Sequence, residues 1–246
     1  MPMRLSRARA TPRQRYRPQQ ARFALQNHSS PLKPFTPHTA SHDLLPVAYS
    51  SRAGLRRELR HRRRMLSQRQ QSDAARGMVN QLLRYGILRR SQRIALYLPA
   101  DGELDPIPLL RWLRRFHITA YVPVLRPSIE PGLWFIKLTP ETRLTRNEFN
   151  LLEPILPRYA HRADSCPAWA LDIVLMPLVG FDASGARLGM GGGFYDRTFG
   201  STYYPRQPRL IGLAHDIQEV VRLPTEQWDV PLDMIITGTR CICPDK

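Results

Sequence analysis

Apolar positions along the chain recur with two periods. Within residues 52–69 (RAGLRRELRHRRRMLSQR), Leu55, Leu59 and Leu66 fall near one helical face, and arginines occupy the others. Glu58 and Arg62 are four apart and can pair along that helix. Ser72 or Asp73 is placed to cap a second helix over 74–85, with Met78, Val79, Leu82 and Leu83 inward. Residues 93–98 (RIALYL) read as a strand. Pro106 then opens a helix through Arg115, with Ile107, Leu110 and Leu113 as its apolar stripe. Strands are predicted at 118–124 and 133–138. Residues 139–168 are interrupted by prolines and read as mostly irregular. A strand at 172–178, a helix at 193–199 and a strand at 209–214 follow. Gln218 to Val221 reads as a short helix or turn, and 233–237 as a last strand. No internal repeat is visible.

Strands alternating with helices predict an α/β fold: three layers, a mainly parallel sheet and helices on both faces, in the Rossmann-like manner. In such sheets ligands bind at the carboxyl ends of the strands. An apolar fraction of 42% is enough for a core over residues 51–246, which we expect to form a single domain. No run approaches the ~18 apolar residues of a membrane helix. Residues 1–50 are rich in Pro, Gln, Ser, Thr and Arg, and read as a disordered basic extension. They lack the apolar core of a secretory signal. Their Arg-rich, acid-free composition also fits a mitochondrial transit peptide; the extension ranks first, with a cytoplasmic location.

The formal charge of +17 is concentrated. Residues 1–42 carry seven Arg and one Lys without an acid, and residues 52–64 carry seven Arg against Glu58. The rest is nearly balanced, so any nucleic-acid binding is expected through the basic tail. Cys166, Cys241 and Cys243 match no zinc spacing and read as free thiols.

The most informative stretch is 172–200, LDIVLMPLVGFDASGARLGMGGGFYDRTF. An apolar run ends in Gly180. After a polar loop come Gly189, Gly191, Gly192 and Gly193, and then Phe194-Tyr195-Asp196-Arg197 as a first helical turn. Glycines let backbone N–H groups converge on an anion, and a helix start adds further uncapped N–H groups. Arg187 precedes them as a cation. Asp196 follows and could hold a metal bound to a phosphate. A plain tight turn is the competing reading. No Gly-Lys-Ser/Thr follows, so this is not a P-loop, and Phe194 stands where a dinucleotide fingerprint needs its third glycine.

FDASGARLGMGGGFYDRTF resembles the signature of the 5-formyltetrahydrofolate cyclo-ligase (5,10-methenyltetrahydrofolate synthetase) family. The resemblance spans about residues 52–240. It implies ATP- and Mg²⁺-dependent conversion of 5-formyltetrahydrofolate to 5,10-methenyltetrahydrofolate, with release of ADP and phosphate. It assigns ATP to Arg52, Arg56, Arg187, Leu188, Gly189, Met190, Gly191, Gly192, Gly193, Phe194 and Tyr195, with Arg187 and Tyr195 nearest the chemistry. Folate falls to Leu98, Glu103 and Phe149, and Mg²⁺ to Asp196 and Asp229. Arg52, where lysine is common, Phe194, where many relatives have tyrosine, and Gly192, where some have lysine, depart from the family pattern. From the residues alone, Arg52 and Arg56 also read as a solvated basic face, Glu103 and Asp229 as turn acids, and Phe149 as core. His215 and Asp216 read as a satisfied histidine rather than an acid–base pair. A monomer taking only folate and ATP is expected. Two other functions remain open: a nucleotide-binding dehydrogenase with Asp216 on a ribose, and an RNA-binding protein using the tail.

Overall fold

The computed structural model describes residues 51–125, 132–155, 164–200 and 207–244. The expected basic extension, residues 1–50, lies outside them.

Helix α1 (Arg52–Arg64) begins where the Ser51 side chain accepts the Gly54 N–H. It ends earlier than the leucine spacing predicts, because Ser67 starts the next helix. Ser67 and Gln70 form a capping box at the head of α2 (Gln68–Arg84), six residues ahead of the predicted start. The first turns of α2 are polar and exposed, so apolar periodicity does not reveal them.

β1 (Arg93–Ala95) leads through a 3-10 turn at Ile107–Leu109 into α3 (Leu110–Arg115), and β2 (Thr119–Leu125) and β3 (Leu133–Lys137) follow. The segment expected to be irregular holds a hairpin, β4 (Leu144–Arg146) with β5 (Leu152–Pro154), and a short β6 (Ser165–Cys166). A 3-10 turn at Ala168–Ala170 precedes β7 (Ile173–Pro177). The predicted polar loop after β7 is itself a small hairpin, β8 (Gly180–Phe181) with β9 (Arg187–Leu188). Asp182 closes it by accepting from Ser184 and Ala186. Then come α4 (Phe194–Phe199), β10 (Arg209–Leu213), a 3-10 turn at Asp216–Gln218, β11 (Met234–Ile236) and β12 (Cys241–Ile242).

The main sheet has the order β12-β11-β10-β7-β1-β2-β3-β6. Its centre, β11 to β2, is parallel. β12 pairs antiparallel on one edge, and β3 and β6 do so on the other. Alternate strand residues face opposite ways. Ile94, Val122, Ile173, Leu175 and Ile211 face α2 and α3. Ala95, Val174, Met176, Leu210 and Ile235 face the layer that contains Phe199 of α4. These are the expected three layers. α1 belongs to neither face. Its Leu55 and Leu59 pack on Val179, Leu188, Val220 and Leu223, next to the carboxyl ends of β7 and β10.

The packing of α2 on the turn after β11 leaves no room for a methyl group. A Cβ at Gly77 would come within 1.9 Å of the Gly238 carbonyl oxygen. Helix propensity alone makes Gly→Ala stabilising by about 1 kcal/mol. Here Gly77→Ala is expected to destabilise by about 1–3 kcal/mol through overpacking. Urea denaturation checks the sign; an unchanged or raised midpoint contradicts this packing.

Candidate active site

The chain leaves β1 for β2 on one side and returns to place β7 on the other. That makes β1/β7 the switch point of the sheet, where the loops diverge and open a crevice. α1 lies over it and Arg63 anchors it. The Arg63 side chain is fully buried. Its Nε donates to the Asp101 carbonyl at 2.8 Å, one terminal nitrogen to the Leu178 carbonyl at 3.0 Å, and the other to Asp101 Oδ2 at 2.8 Å. Glu103 Oε1 is 3.6 Å away. The loops after β1 and β7 are thus tied to one helix. The loop after β10 joins them: His215 Nε2 lies 3.1 Å from the Gly102 carbonyl, and Gln218 donates to Leu178 and Val179.

The carboxyl groups here are pulled in opposite directions. Burial alone would raise Asp101, but hydrogen bonds from Arg60, Arg64 and Arg63 outweigh it and hold the group at about 2. Burial raises Glu103, and the charge of Arg63 opposes it only in part.

The glycine segment follows β9. Gly191 (φ 98°) and Gly193 (φ 61°) occupy the left-handed region, where a side chain is strained. Gly193 is also the N-cap of α4. Arg56 reaches this loop from α1. Its Nε donates to the Gly189 carbonyl at 2.8 Å, and its guanidinium carbon is 3.7 Å from where a Cβ of Gly191 would stand. Burial and then the neighbouring Arg52 lower the Arg56 pKa, while Asp229 opposes them.

Two further arginines hold the two predicted metal carboxylates. Arg187, 7% exposed, donates to Asp196 Oδ1 at 2.5 Å and to the Val230 carbonyl at 3.1 Å. Val230 N–H returns a bond to the same Asp196 oxygen at 3.1 Å. Arg52 bridges both oxygens of Asp229, at 2.8 and 3.3 Å, and the Glu226 N–H caps Oδ2 at 2.9 Å. Burial would raise Asp229, but the Arg52 contacts outweigh it and lower it. Gly191, Gly193, Asp196 and Asp229 line a common cleft of about 690 Å³. Among the described residues, no three His, Cys, Asp or Glu side chains converge as a metal cluster.

The remaining predicted residues are spread around this centre. Tyr195 stacks on Phe199, and burial, with the Glu103 charge adding to it, raises its pKa so that its hydroxyl stays a donor. Phe149, on the β4–β5 turn and exposed, meets the Phe194 ring edge-on at 6.5 Å. Leu98, three residues past β1, packs on the main core. Leu188 is fully buried under α1 and its carbonyl accepts the Val179 N–H. Gly192 and Met190 are exposed. Asp216, the alternative ribose residue, instead accepts from the hydroxyls of Thr237 and Thr239.

Sequence reasoning missed Arg63, Asp101 and Arg197, whose guanidinium lies 5.0 Å over the Phe194 ring. Arg63 did leave a signal. It falls four residues after Leu59 and three before Leu66, inside the apolar stripe, where an arginine must be buried and satisfied.

The doubly wound α/β domain gathers a glycine loop, three arginines and two carboxylates, and a set of this kind can hold a phosphorylated ligand. The model of the 5-formyltetrahydrofolate cyclo-ligase family matches residues 48–238. The 5-formyltetrahydrofolate cyclo-ligase of Escherichia coli K12 is 39% identical over 183 residues, covering 74% of this chain and 97% of its own length. That of Haemophilus influenzae is 38% identical over 187 residues, covering 76% and 97%. A 5,10-methenyltetrahydrofolate synthetase structure from Mycoplasma pneumoniae superimposes with a TM-score of 0.60 at 25% identity, covering 76% of this chain and 98% of that one. The Aquifex aeolicus structure gives a TM-score of 0.65 at 24% identity, covering 79% and 93%. The chain therefore belongs to the 5-formyltetrahydrofolate cyclo-ligase family. No helix among the described residues is long and apolar enough to cross a membrane.

His215 gives a pH test of the crevice. Burial pushes its imidazole down to about 4, with the Arg63 charge helping and the Gly102 bond opposing. The unfolded chain, at about 6.5, then binds a proton that the folded chain refuses. Stability should be full above about pH 6.5 and fall as pH drops toward 4, by on the order of 3 kcal/mol. Urea midpoints measured from pH 7 to 4.5 should show this slope, and His215→Gln should flatten it. An equal slope in both proteins would remove His215 as its source.

Proposed function

We propose that this chain couples ATP cleavage to the closure of 5-formyltetrahydrofolate into 5,10-methenyltetrahydrofolate, using the switch-point crevice as its active site. The observation that carries the assignment of residues is the convergence of Arg52, Arg56 and Arg187 on one glycine loop and its two carboxylates. The formamide oxygen of the substrate is a poor leaving group. Transfer of the γ-phosphoryl to that oxygen releases ADP and makes it a good one. N10 then attacks the formyl carbon and gives up its proton to solvent, the C–O bond breaks, and phosphate departs as the ring closes. The protein has to align the reactants and neutralise charge. The amides of Gly189–Gly193 and the three guanidiniums would cradle the triphosphate. Tyr195 would donate its hydroxyl to a phosphate oxygen. Glu103, beside Leu98, would accept from the pterin, and Phe149 would cover its face.

Mg²⁺ fits this arrangement. It commonly takes one or two carboxylates and fills its shell with phosphate oxygens and water. Asp196 and Asp229 line the same cleft and would supply them; bound there, the ion would offset charge on the β- and γ-phosphates. The ion pairs of the structure support an exchange. Each carboxylate has a guanidinium partner, so arriving metal and phosphate can take over both without leaving a buried charge alone. The free thiols of Cys166, Cys241 and Cys243 fit a reducing compartment such as the cytoplasm. We further take residues 51–246 as the catalytic unit, acting as a monomer.

Absorbance of the methenyl product should rise when the protein is mixed with ATP, Mg²⁺ and 5-formyltetrahydrofolate. Folded protein without turnover would reject the proposal. Asp229→Ala should cut activity at least about tenfold and raise the Mg²⁺ requirement; an unchanged Mg²⁺ dependence would remove Asp229 from the metal site. Deleting residues 1–48 should leave turnover near that of the full chain, and its loss would place the tail in the enzyme's mechanism.

A further inference from the structure

The cleft extends past the glycines to two residues, Gln227 and Trp228, that none of the assignments above uses. Gln227 and Trp228 line it together with Gly191, Gly193 and Asp229. Trp228 is 68% exposed, second only to Met65 among the large apolar side chains of the described residues. What singles it out is its place: the indole stands in water on the wall of a cleft lined by charged residues. Its backbone is well anchored. The Asp229 N–H bonds the Glu226 carbonyl at 3.0 Å, the Glu226 N–H bonds Asp229 Oδ2 at 2.9 Å, and Arg52 clamps Asp229 to α1. Trp228 is thus presented on a closed turn that is braced against a helix, and the ordering of that backbone precedes any ligand.

Resting on the nucleotide reading of the cleft, we infer that Trp228 and Gln227 form the base-recognition end of the site and select adenine. A planar heterocycle gains by stacking on an indole face. A glutamine amide matches the adenine edge, donating to N7 and accepting from the 6-amino group; guanine offers two acceptors there and leaves the amide oxygen unmatched. The position separates this role from folate binding. Gln227 and Trp228 adjoin the glycines and Asp229, where phosphates would lie. Glu103 and Leu98 belong to the loop after β1, and the Phe149–Phe194 aromatic pair includes no residue of this turn. Trp228 therefore supplies an aromatic surface in addition to the Phe149–Phe194 pair.

The test is equilibrium titration of the full chain with ATP and GTP, alongside steady-state kinetics. Trp228→Ala should weaken both nucleotides by about 5- to 100-fold. It should raise KM for ATP and leave KM for the folate unchanged. Trp228→Phe should restore most of the affinity. Gln227→Ala should weaken ATP more than GTP and shrink the preference between them. In the parent protein, ATP should quench the part of the tryptophan fluorescence that Trp228→Phe removes, which reads out stacking without an activity assay. ATP binding unaffected by Trp228→Ala, or a loss confined to the folate, would overturn this inference alone. A parent protein that binds no ATP would overturn it together with the proposed function.

Discussion

A buried guanidinium organises this molecule. Arg63 has no exposed surface, and removing such a charge from water is expensive unless its donors are matched. They are matched by two backbone carbonyls and the Asp101 carboxylate, with Glu103 close by. Those partners lie on the loops that leave β1 and β7 on opposite sides of the switch point. A parallel sheet alone would let such loops diverge freely. Here one side chain holds both at hydrogen-bond distance from the same helix. The helix that carries Arg63 also carries Arg52 and Arg56, two to three turns earlier on the same side. Placing Arg63 therefore aims Arg52 and Arg56 at Asp229 and the glycine loop.

The same contacts set the electrostatics. Three arginines lower Asp101, while Glu103, two residues on, is dominated by burial and rises. His215, bonded to the carbonyl of Gly102 between them, is driven toward the neutral form. One crevice wall thus holds an ionised carboxylate as a structural anchor, a second carboxylate with a weaker hold on its charge, and an uncharged imidazole. Burial near one cation produces all three, because distance to Arg63 and its neighbours decides which charges are compensated.

The layered fold was legible because its signals are local and repeated. The apolar strands at 172–178 and 209–214 and the stripe of α3 follow simple periods and match β7, β10 and α3 closely, while the strand expected at 93–98 is found as β1 but ends at Ala95. The misses have physical causes. The start of α2 depends on a Ser67–Gln70 box in a polar stretch, not on apolar spacing. β4, β5, β8 and β9 are two or three residues long, too short to show a period. The glycine segment with Arg187 and Asp196 at its flanks was legible as a run of residues, since it is dense and distinctive. Its pairing was not. Nothing in the sequence says that Arg187 will face Asp196, or that Arg52 will cross 177 positions to reach Asp229. That Trp228 and Gln227 share a cleft with Gly191 and Gly193 was unreadable for the same reason, since these positions are brought together only by the fold.

The arginine run of α1 shows how far composition can mislead. Seven arginines against one glutamate within residues 52–64 look like a solvated basic face. In the folded chain six of them have partners inside the molecule: Arg52 on Asp229, Arg56 on Gly189, Arg60, Arg63 and Arg64 on Asp101, and Arg62 on Glu58. A single carboxylate, Asp101, receives three of the six. That ratio leaves an excess of positive charge along the crevice, which Asp101 alone cannot cancel. An acidic partner for each arginine would have made a more neutral helix and a weaker field. The surplus lies beside the glycine loop, so the charge that looks like a solvated polycationic face in sequence is, once folded, concentrated along one crevice.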